Sequence, residues 1–219
     1  MAAMIFLDYV GVILSAATGA LVASRKQLDI IGFIFLATVT GAGGGTLRDL
    51  VLDVPVFWVE EPRYLVACAA AALVTFFTAH LLESRYRWVL WLDGVALAAY
   101  GVFGAYKGLG ETGSPVVAVL MGMTTAAVGG VIRDVLADEP SVLLRKEIYM
   151  VAAMAGAVVF VAGDIAGLGL PFAAGAGFAT AFGLRSGALA RGWTLPAYRS
   201  RPGRDPADSV RDRDPDADG

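Results

Sequence analysis

Gly44-Gly45-Thr46-Leu47-Arg48-Asp49 is written a second time as Gly129-Gly130-Val131-Ile132-Arg133-Asp134, further along the chain. Each copy runs on into Asp-x-Pro, and the step that carries Gly44 onto Gly129 also carries Asp53-Val54-Pro55 onto Asp138-Glu139-Pro140. Without a gap, the same step aligns Asp8 with Asp93, Gly19 with Gly104, Thr40 with Thr125 and Tyr64 with Tyr149. Self-similarity at one fixed period marks an internal duplication, so the chain is read as two related halves and a remainder.

Hydrophobic residues make up 57% of the 219 and charged residues 17%, and the mean hydropathy is +0.67. That balance belongs to an integral membrane protein rather than a soluble domain. A spanning helix needs about 20 mainly apolar residues, and seven stretches qualify, near 8–24, 28–52, 64–83, 88–106, 115–137, 148–163 and 168–185. The first is read as a retained span and not a signal peptide, because Met1 to Leu7 carry no Lys or Arg and Asp8 stands where a positive flank belongs. Cys68 is the only cysteine, which excludes a disulfide within the chain and argues against a thiolate metal site. His80, the only histidine, is read as an interfacial residue. Walker, paired-histidine, nucleophile-elbow and dinucleotide signatures are all absent from the sequence, so an enzyme, a cofactor, a bound metal and a nucleic-acid partner are not expected.

Basic residues gather in alternate breaks, at Arg25 and Lys26, Arg85 and Arg87, Arg145 and Lys146, then Arg185 and Arg191, whereas the intervening breaks hold Arg63 and Lys107. The positive-inside rule then predicts an amino terminus outside and a carboxyl terminus in the cytoplasm of a multi-pass plasma-membrane protein. Each half holds three spans, an odd number, so the second half enters from the opposite side and the repeats are inverted. The expected fold is all-α: repeat 1 over about 8–84, repeat 2 over about 88–164 and a seventh helix over about 168–185, within a transmembrane domain of residues 1–190. Ala173, Gly177 and Ala181 on the seventh helix permit close approach to the bundle or to another subunit. Trp58, Trp88, Trp91, Tyr86, Tyr149 and Trp193 fall near predicted span ends, as an aromatic belt does. Residues 191–219 are mixed-charge and Pro-rich, and are read as a disordered cytoplasmic tail.

The doubled motif carries the chemistry. Glycines weaken a helix by about 1 kcal/mol each and open the backbone to close approach. Gly43, Gly44 and Gly45 in the second span, with Gly129 and Gly130 in the fifth, are therefore expected to kink or unwind their helices along a path, tight packing being the alternative. Arg48, Asp49, Arg133 and Asp134 must face protein, water or opposite charge, because one such residue at mid-membrane costs about 2.5–3.5 kcal/mol. Adjacent helical residues point about 100° apart, so pairing within each Arg-Asp is predicted to be poor, and crossed pairs, Arg48 with Asp134 and Arg133 with Asp49, are expected instead. Asp93 is read as facing a cavity, and Asp8 either as facing one or, equally, as lying at an interface. Asp53, Glu60, Glu61, Glu111 and Asp164 would make the outer face acidic.

The doubled Gly-Gly-x-x-Arg-Asp, the arrangement of three, three and one spans, and the length resemble the prokaryotic branch of the trimeric intracellular cation (TRIC) channels, over residues 5 to 190. The resemblance implies a homotrimer in the lipid bilayer, each subunit with its own path for monovalent cations, K⁺ favoured and Na⁺ passing. It implies a path between the glycine-kinked second and fifth helices, with Gly43, Gly44, Gly45, Gly129 and Gly130 at the kinks and Arg48, Asp49, Arg133 and Asp134 beside it. The second copy departs from a triple glycine, reading Ala127-Val128-Gly129-Gly130. Inverted repeats with broken helices equally describe a secondary transporter of a small solute such as glycine, which stands as the second functional expectation.

Overall fold

The computed structural model describes residues 2–81, 84–141 and 148–194. Every regular element among them is helical: α1 (Ala2–Arg25), α2 (Ile30–Val51), the short α3 (Phe57–Glu60), α4 (Arg63–Thr78) prolonged by a 3₁₀ turn, α5 (Arg85–Thr112), α6 (Pro115–Leu136), α7 (Met150–Ile165) and α8 (Leu170–Arg191). Five helices are long and apolar enough to cross a membrane, and α7 is apolar but shorter. Arg145, Lys146 and the tail from residue 195 lie outside the described residues.

Local chemistry sets the helix ends, and it repeats. Asp29 caps α2 by accepting from the Gly32 N–H at 2.7 Å, and Ser114, its mate at the repeat step, caps α6 by accepting from the Val117 N–H at 3.4 Å with Pro115 beginning the helix. The Asp-x-Pro that follows each motif is a C-terminal cap. Asp53 and Asp138 take left-handed conformations, with φ of 54° and 48°. Val54 N–H then bonds Asp49 C=O at 3.1 Å and Asp53 N–H bonds Leu50 C=O at 3.3 Å, and Glu139 and Asp138 bond Asp134 and Val135 in the same way at 2.9 and 3.3 Å. This is the Schellman pattern, after which proline cannot continue the helix. It fixes the backbone of Asp49 and Asp134, the residues that end the doubled motif.

The bundle packs through small residues, and the repeat step reappears in its contacts. Gly19 lies against Thr40 Oγ1 and the Leu36 carbonyl, and Gly104 lies against Thr125 Oγ1 and the Met121 carbonyl. At the centre α2 crosses α6: a Cβ on Gly44 would strike the Thr125 carbonyl, and one on Gly129 would strike the Thr40 carbonyl. Both helices run without a break through their glycines, which corrects the expected unwinding. Backbone-to-backbone packing at the crossing compensates for the low intrinsic propensity, as tertiary contact usually does for helices in proteins.

α8 packs on α7. Gly177 and Ala181 sit over Gly156, and Ala173 over Gly163, so the small stripe serves the bundle. Cys68 is a buried core residue against Gly41, and His80 is exposed.

Candidate functional site

Two charged clusters flank the α2–α6 crossing. One, here called upper, lies toward the end of the bundle that holds α3. The other, lower, lies toward the carboxyl-terminal ends of α1 and α6.

In the upper cluster Asp49 accepts three hydrogen bonds: Oδ1 takes Arg48 Nε at 2.7 Å and Lys107 Nζ at 2.9 Å, and Oδ2 takes the Phe57 N–H at 2.9 Å. The Arg48 guanidinium lies 5.7 Å from the Phe57 ring centre and 5.1 Å from that of Phe103, and its buried Nη1 has no hydrogen-bond partner. Asp8 is buried and accepts from the Tyr64 hydroxyl at 2.7 Å, so of its two expected positions it takes the cavity one. Asp8, Arg48, Tyr64 and Lys107 line a cavity of about 560 Å³. Its lining carries four carboxylates, Asp8, Glu60, Glu61 and Glu111, against the three cations Arg48, Arg63 and Lys107. Glu60, Glu61 and Glu111 thus act as the acidic rim, whereas Asp53 and Asp164 lie outside it.

In the lower cluster Arg133 is the hub. Nε and Nη2 each meet Asp134 Oδ1 at 2.9 Å, and Nη1 donates to Thr18 Oγ1 and to Asp93 Oδ1, both at 2.9 Å. Asp93 Oδ2 is buried without a hydrogen-bond partner. The missing side chain of Gly130 leaves a space bounded by Tyr149 Oη, Arg133 Nη2 and Asp93 Oδ1, at 3.4, 3.5 and 3.6 Å from where a Cβ would stand. Asp93, Arg133 and Asp134 border a crevice of about 10 Å³, room for about one water molecule. Nearer the surface, Glu139 answers Arg25 at 3.3 Å and Lys26 at 3.6 Å.

These contacts overturn the crossed pairs. Arg48 bonds Asp49 and Arg133 bonds Asp134, each its own neighbour. Adjacent Cβ atoms diverge by about 100°, but an arginine side chain is long enough for Nε to fold back onto the neighbouring carboxylate. The link between halves exists through other partners, Lys107 to Asp49 and Arg133 to Thr18.

The doubling found in the sequence and in the contacts is also found by comparison. A family model described as Glycine transporter matches residues 5–80 and 90–165, two segments offset by the repeat step. The UPF0126 inner membrane protein YadS of Escherichia coli (strain K12) is 40% identical over 156 residues, 70% of this chain and 75% of YadS. The crystal structure of the TRIC trimeric intracellular cation channel orthologue from Rhodobacter sphaeroides is 52% identical, with a TM-score of 0.86, over 88% of this chain and 100% of that one. The chain belongs to the TRIC family. A further TRIC cation channel structure is 27% identical with a TM-score of 0.80, over 90% of this chain and 98% of its own. This TRIC protein is therefore an all-α, multi-pass membrane protein, and its relatives are channels and membrane proteins rather than enzymes.

Three residues around these clusters escape a reading of the sequence. Lys107 falls in a predicted loop, yet α5 continues to Thr112 and ends on Gly113 at a φ of 65°. Arg185 closes the predicted seventh span, yet α8 continues to Arg191 and Arg185 is 1% exposed. Tyr100 lies with its ring on Gly11 and its hydroxyl donating to the Gly41 carbonyl of α2. Tyr149, expected in the aromatic belt, is 2% exposed. Hydropathy ends a span at its first charge and carries no information on whether that charge faces lipid or a carboxylate.

Proposed function

We propose that this TRIC protein is a channel for monovalent cations, K⁺ favoured and Na⁺ permeant, with one pore in each subunit of a homotrimer. The pore runs between α2 and α6. In this reading α1, α2 and α4 form one three-helix repeat, α5, α6 and α7 an inverted second, and α8 the seventh span. The amino terminus is outside and the carboxyl terminus cytoplasmic, so the upper cavity faces outward and the lower crevice inward.

The observation that carries the proposal is the pair of charged chambers approaching the α2–α6 crossing from opposite ends of the bundle. The upper cavity has an excess of carboxylate, which concentrates cations at its mouth. Arg48 and Arg133 are each held by a carboxylate neighbour, so the positive charge that would repel a cation is offset. Asp93 Oδ2 supplies an oxygen for a cation in transit, and a single such group binds weakly enough for the ion to leave, as conduction requires. A wide upper cavity and a lower crevice of one-water size describe a pore closed on the cytoplasmic side. Opening then separates α2 from α6 at Gly44 and Gly129, with Gly43, Gly45 and Gly130 beside the path, and releases Arg133 from Thr18.

A second reading, a carrier for a zwitterionic solute such as glycine, is favoured by one observation. The unpartnered Arg48 Nη1 and the Asp8 carboxylate share the upper cavity, as a site for a carboxylate and an ammonium would.

Replacing Glu60 and Glu111 with glutamine tests the channel reading against the carrier. Unitary cation current is expected to fall about twofold at low salt and to recover in 1 M salt, where the Debye length shrinks from about 10 Å to about 3 Å. Equal currents at both salt concentrations would remove the rim from the mechanism. Saturable glycine uptake into liposomes without current steps would replace the channel with the carrier.

A further inference from the structure

The two charged clusters are built from matching parts, and one arginine nitrogen is used differently in each. The repeat step pairs Arg48 with Arg133, Asp8 with Asp93 and Phe103 with Thr18. In the lower cluster Arg133 Nη1 donates to Thr18 Oγ1 and to Asp93 Oδ1, both at 2.9 Å, and the crevice that Arg133 and Asp93 border is about 10 Å³. In the upper cluster the corresponding atom, Arg48 Nη1, is buried and has no hydrogen-bond partner among the described residues. Both of the acceptors that the lower cluster would predict for it are missing. The mate of Thr18 is Phe103, which offers a ring, with its centre 5.1 Å from the guanidinium carbon, in place of a hydroxyl. The mate of Asp93 is Asp8, which accepts from the Tyr64 hydroxyl at 2.7 Å.

The upper cluster therefore has the parts of a closed contact without the contact. Arg48 and Asp8 line the same cavity of about 560 Å³. A buried N–H without an acceptor is costly, and here the guanidinium is held beside the rings of Phe57 and Phe103 instead, at 5.7 and 5.1 Å, an attraction that needs no acceptor. The open cavity gives the end of the Arg48 side chain room to swing. The one-water crevice gives Arg133 none.

We infer that Arg48 and Asp8 are an upper gate standing open, and that Arg133 and Asp93 are the same gate shut. To close, Asp8 exchanges the Tyr64 hydroxyl for Arg48 Nη1, and the ion pair spans the cavity that both residues line. Phenylalanine in place of threonine at the mate position sets the resting state. The lower pair is locked by a second acceptor and the upper pair is not, so the upper end rests open while the lower end rests shut. The consequence for current rests on the channel reading above. The exchange of partners does not.

Three variants of the full chain test this. Phe103→Thr supplies the acceptor that the upper cluster lacks, and Phe103→Val removes the ring without supplying one. Tyr64→Phe keeps the ring that stacks on Tyr9 and frees Asp8. Crystal structures of Phe103→Thr and Tyr64→Phe are expected to show Arg48 Nη1 about 3 Å from an Asp8 oxygen, with the upper cavity narrowed. An Arg48 that stays beside the Phe57 ring with Nη1 unbonded in both would overturn the inference whether or not the protein conducts. In bilayers the ratio of closed to open time is expected to be about two- to tenfold higher in Phe103→Thr than in Phe103→Val, and in Tyr64→Phe than in wild type, the weight of one hydrogen bond. Adding Asp8→Asn to Tyr64→Phe is expected to cancel the rise, because a carboxamide carries no charge for Arg48 to pair with. Ratios unchanged by Phe103→Thr and Tyr64→Phe on a conducting wild-type background would likewise overturn it, whereas a wild type that passes no current would sink the channel reading alone and leave the gate to the crystal structures.

Discussion

Arg133→Ala is expected to give a protein that unfolds at a lower temperature and, once in a bilayer, conducts for more of the time. Arg133 is 2% exposed and is the common partner of Asp134, Asp93 and Thr18. Its removal leaves two buried carboxylates without their shared cation, a change that costs about 3–5 kcal/mol when one partner of a buried ion pair is deleted. For a chain of this size that corresponds to a fall of about 6–20 °C in melting temperature. The same change removes the Arg133–Thr18 bond that ties α6 to α1 and empties the narrowest part of the route. A cation arriving there meets Asp93 and Asp134 without the guanidinium, so open probability and unitary current both rise. Arg133→Lys separates the two effects: charge is kept, but one ammonium cannot reproduce the contacts made by Nε, Nη1 and Nη2 together. Thermal unfolding in detergent and single-channel recording of both variants give the comparison. Wild-type currents and melting temperature in Arg133→Ala would remove the residue from both gate and core.

The second large effect is expected at the crossing. Gly44→Ala and Gly129→Ala each place a methyl group on a backbone carbonyl, of Thr125 and of Thr40. Unlike a side chain, a helix carbonyl cannot rotate away, so α2 and α6 must move apart. Overpacking of this kind costs about 1–3 kcal/mol, which outweighs the gain of about 1 kcal/mol from replacing glycine by alanine within a helix. Gly110→Ala is the control, because nothing lies within 4 Å of its Cβ position. It is expected to match or exceed the wild-type melting temperature, whereas both crossing variants fall below it and favour the separated, conducting arrangement. Crossing variants as stable as Gly110→Ala would show that the contact between α2 and α6 is not what holds the bundle closed.

Much of this architecture is legible in the chain because duplication writes it twice. Asp8 and Asp93 can be matched without any knowledge of the fold, and each proves to be a buried carboxylate beside a tyrosine of the same repeat, Tyr64 or Tyr149. Asp53 and Asp138 are visible as part of a recurring Asp-x-Pro, although their task, a left-handed cap, shows only in the backbone. The glycines, read as breaks with tight packing as the alternative, serve as a contact surface. A sequence records low helix propensity at Gly44 but not the carbonyl of Thr125 that makes the absence of a Cβ necessary. The neighbouring Arg-Asp pairs are misjudged when side chains are treated as Cβ directions. Lys107 and Arg185 escape notice because neither has a charged mate at the repeat step, and repetition reveals only what is repeated.

Cation conduction itself is tested most directly by the zero-current potential of purified wild-type protein in a planar bilayer across a KCl gradient. Discrete current steps that reverse close to the K⁺ equilibrium potential are expected. An absence of steps, or reversal near the Cl⁻ equilibrium potential, would contradict it.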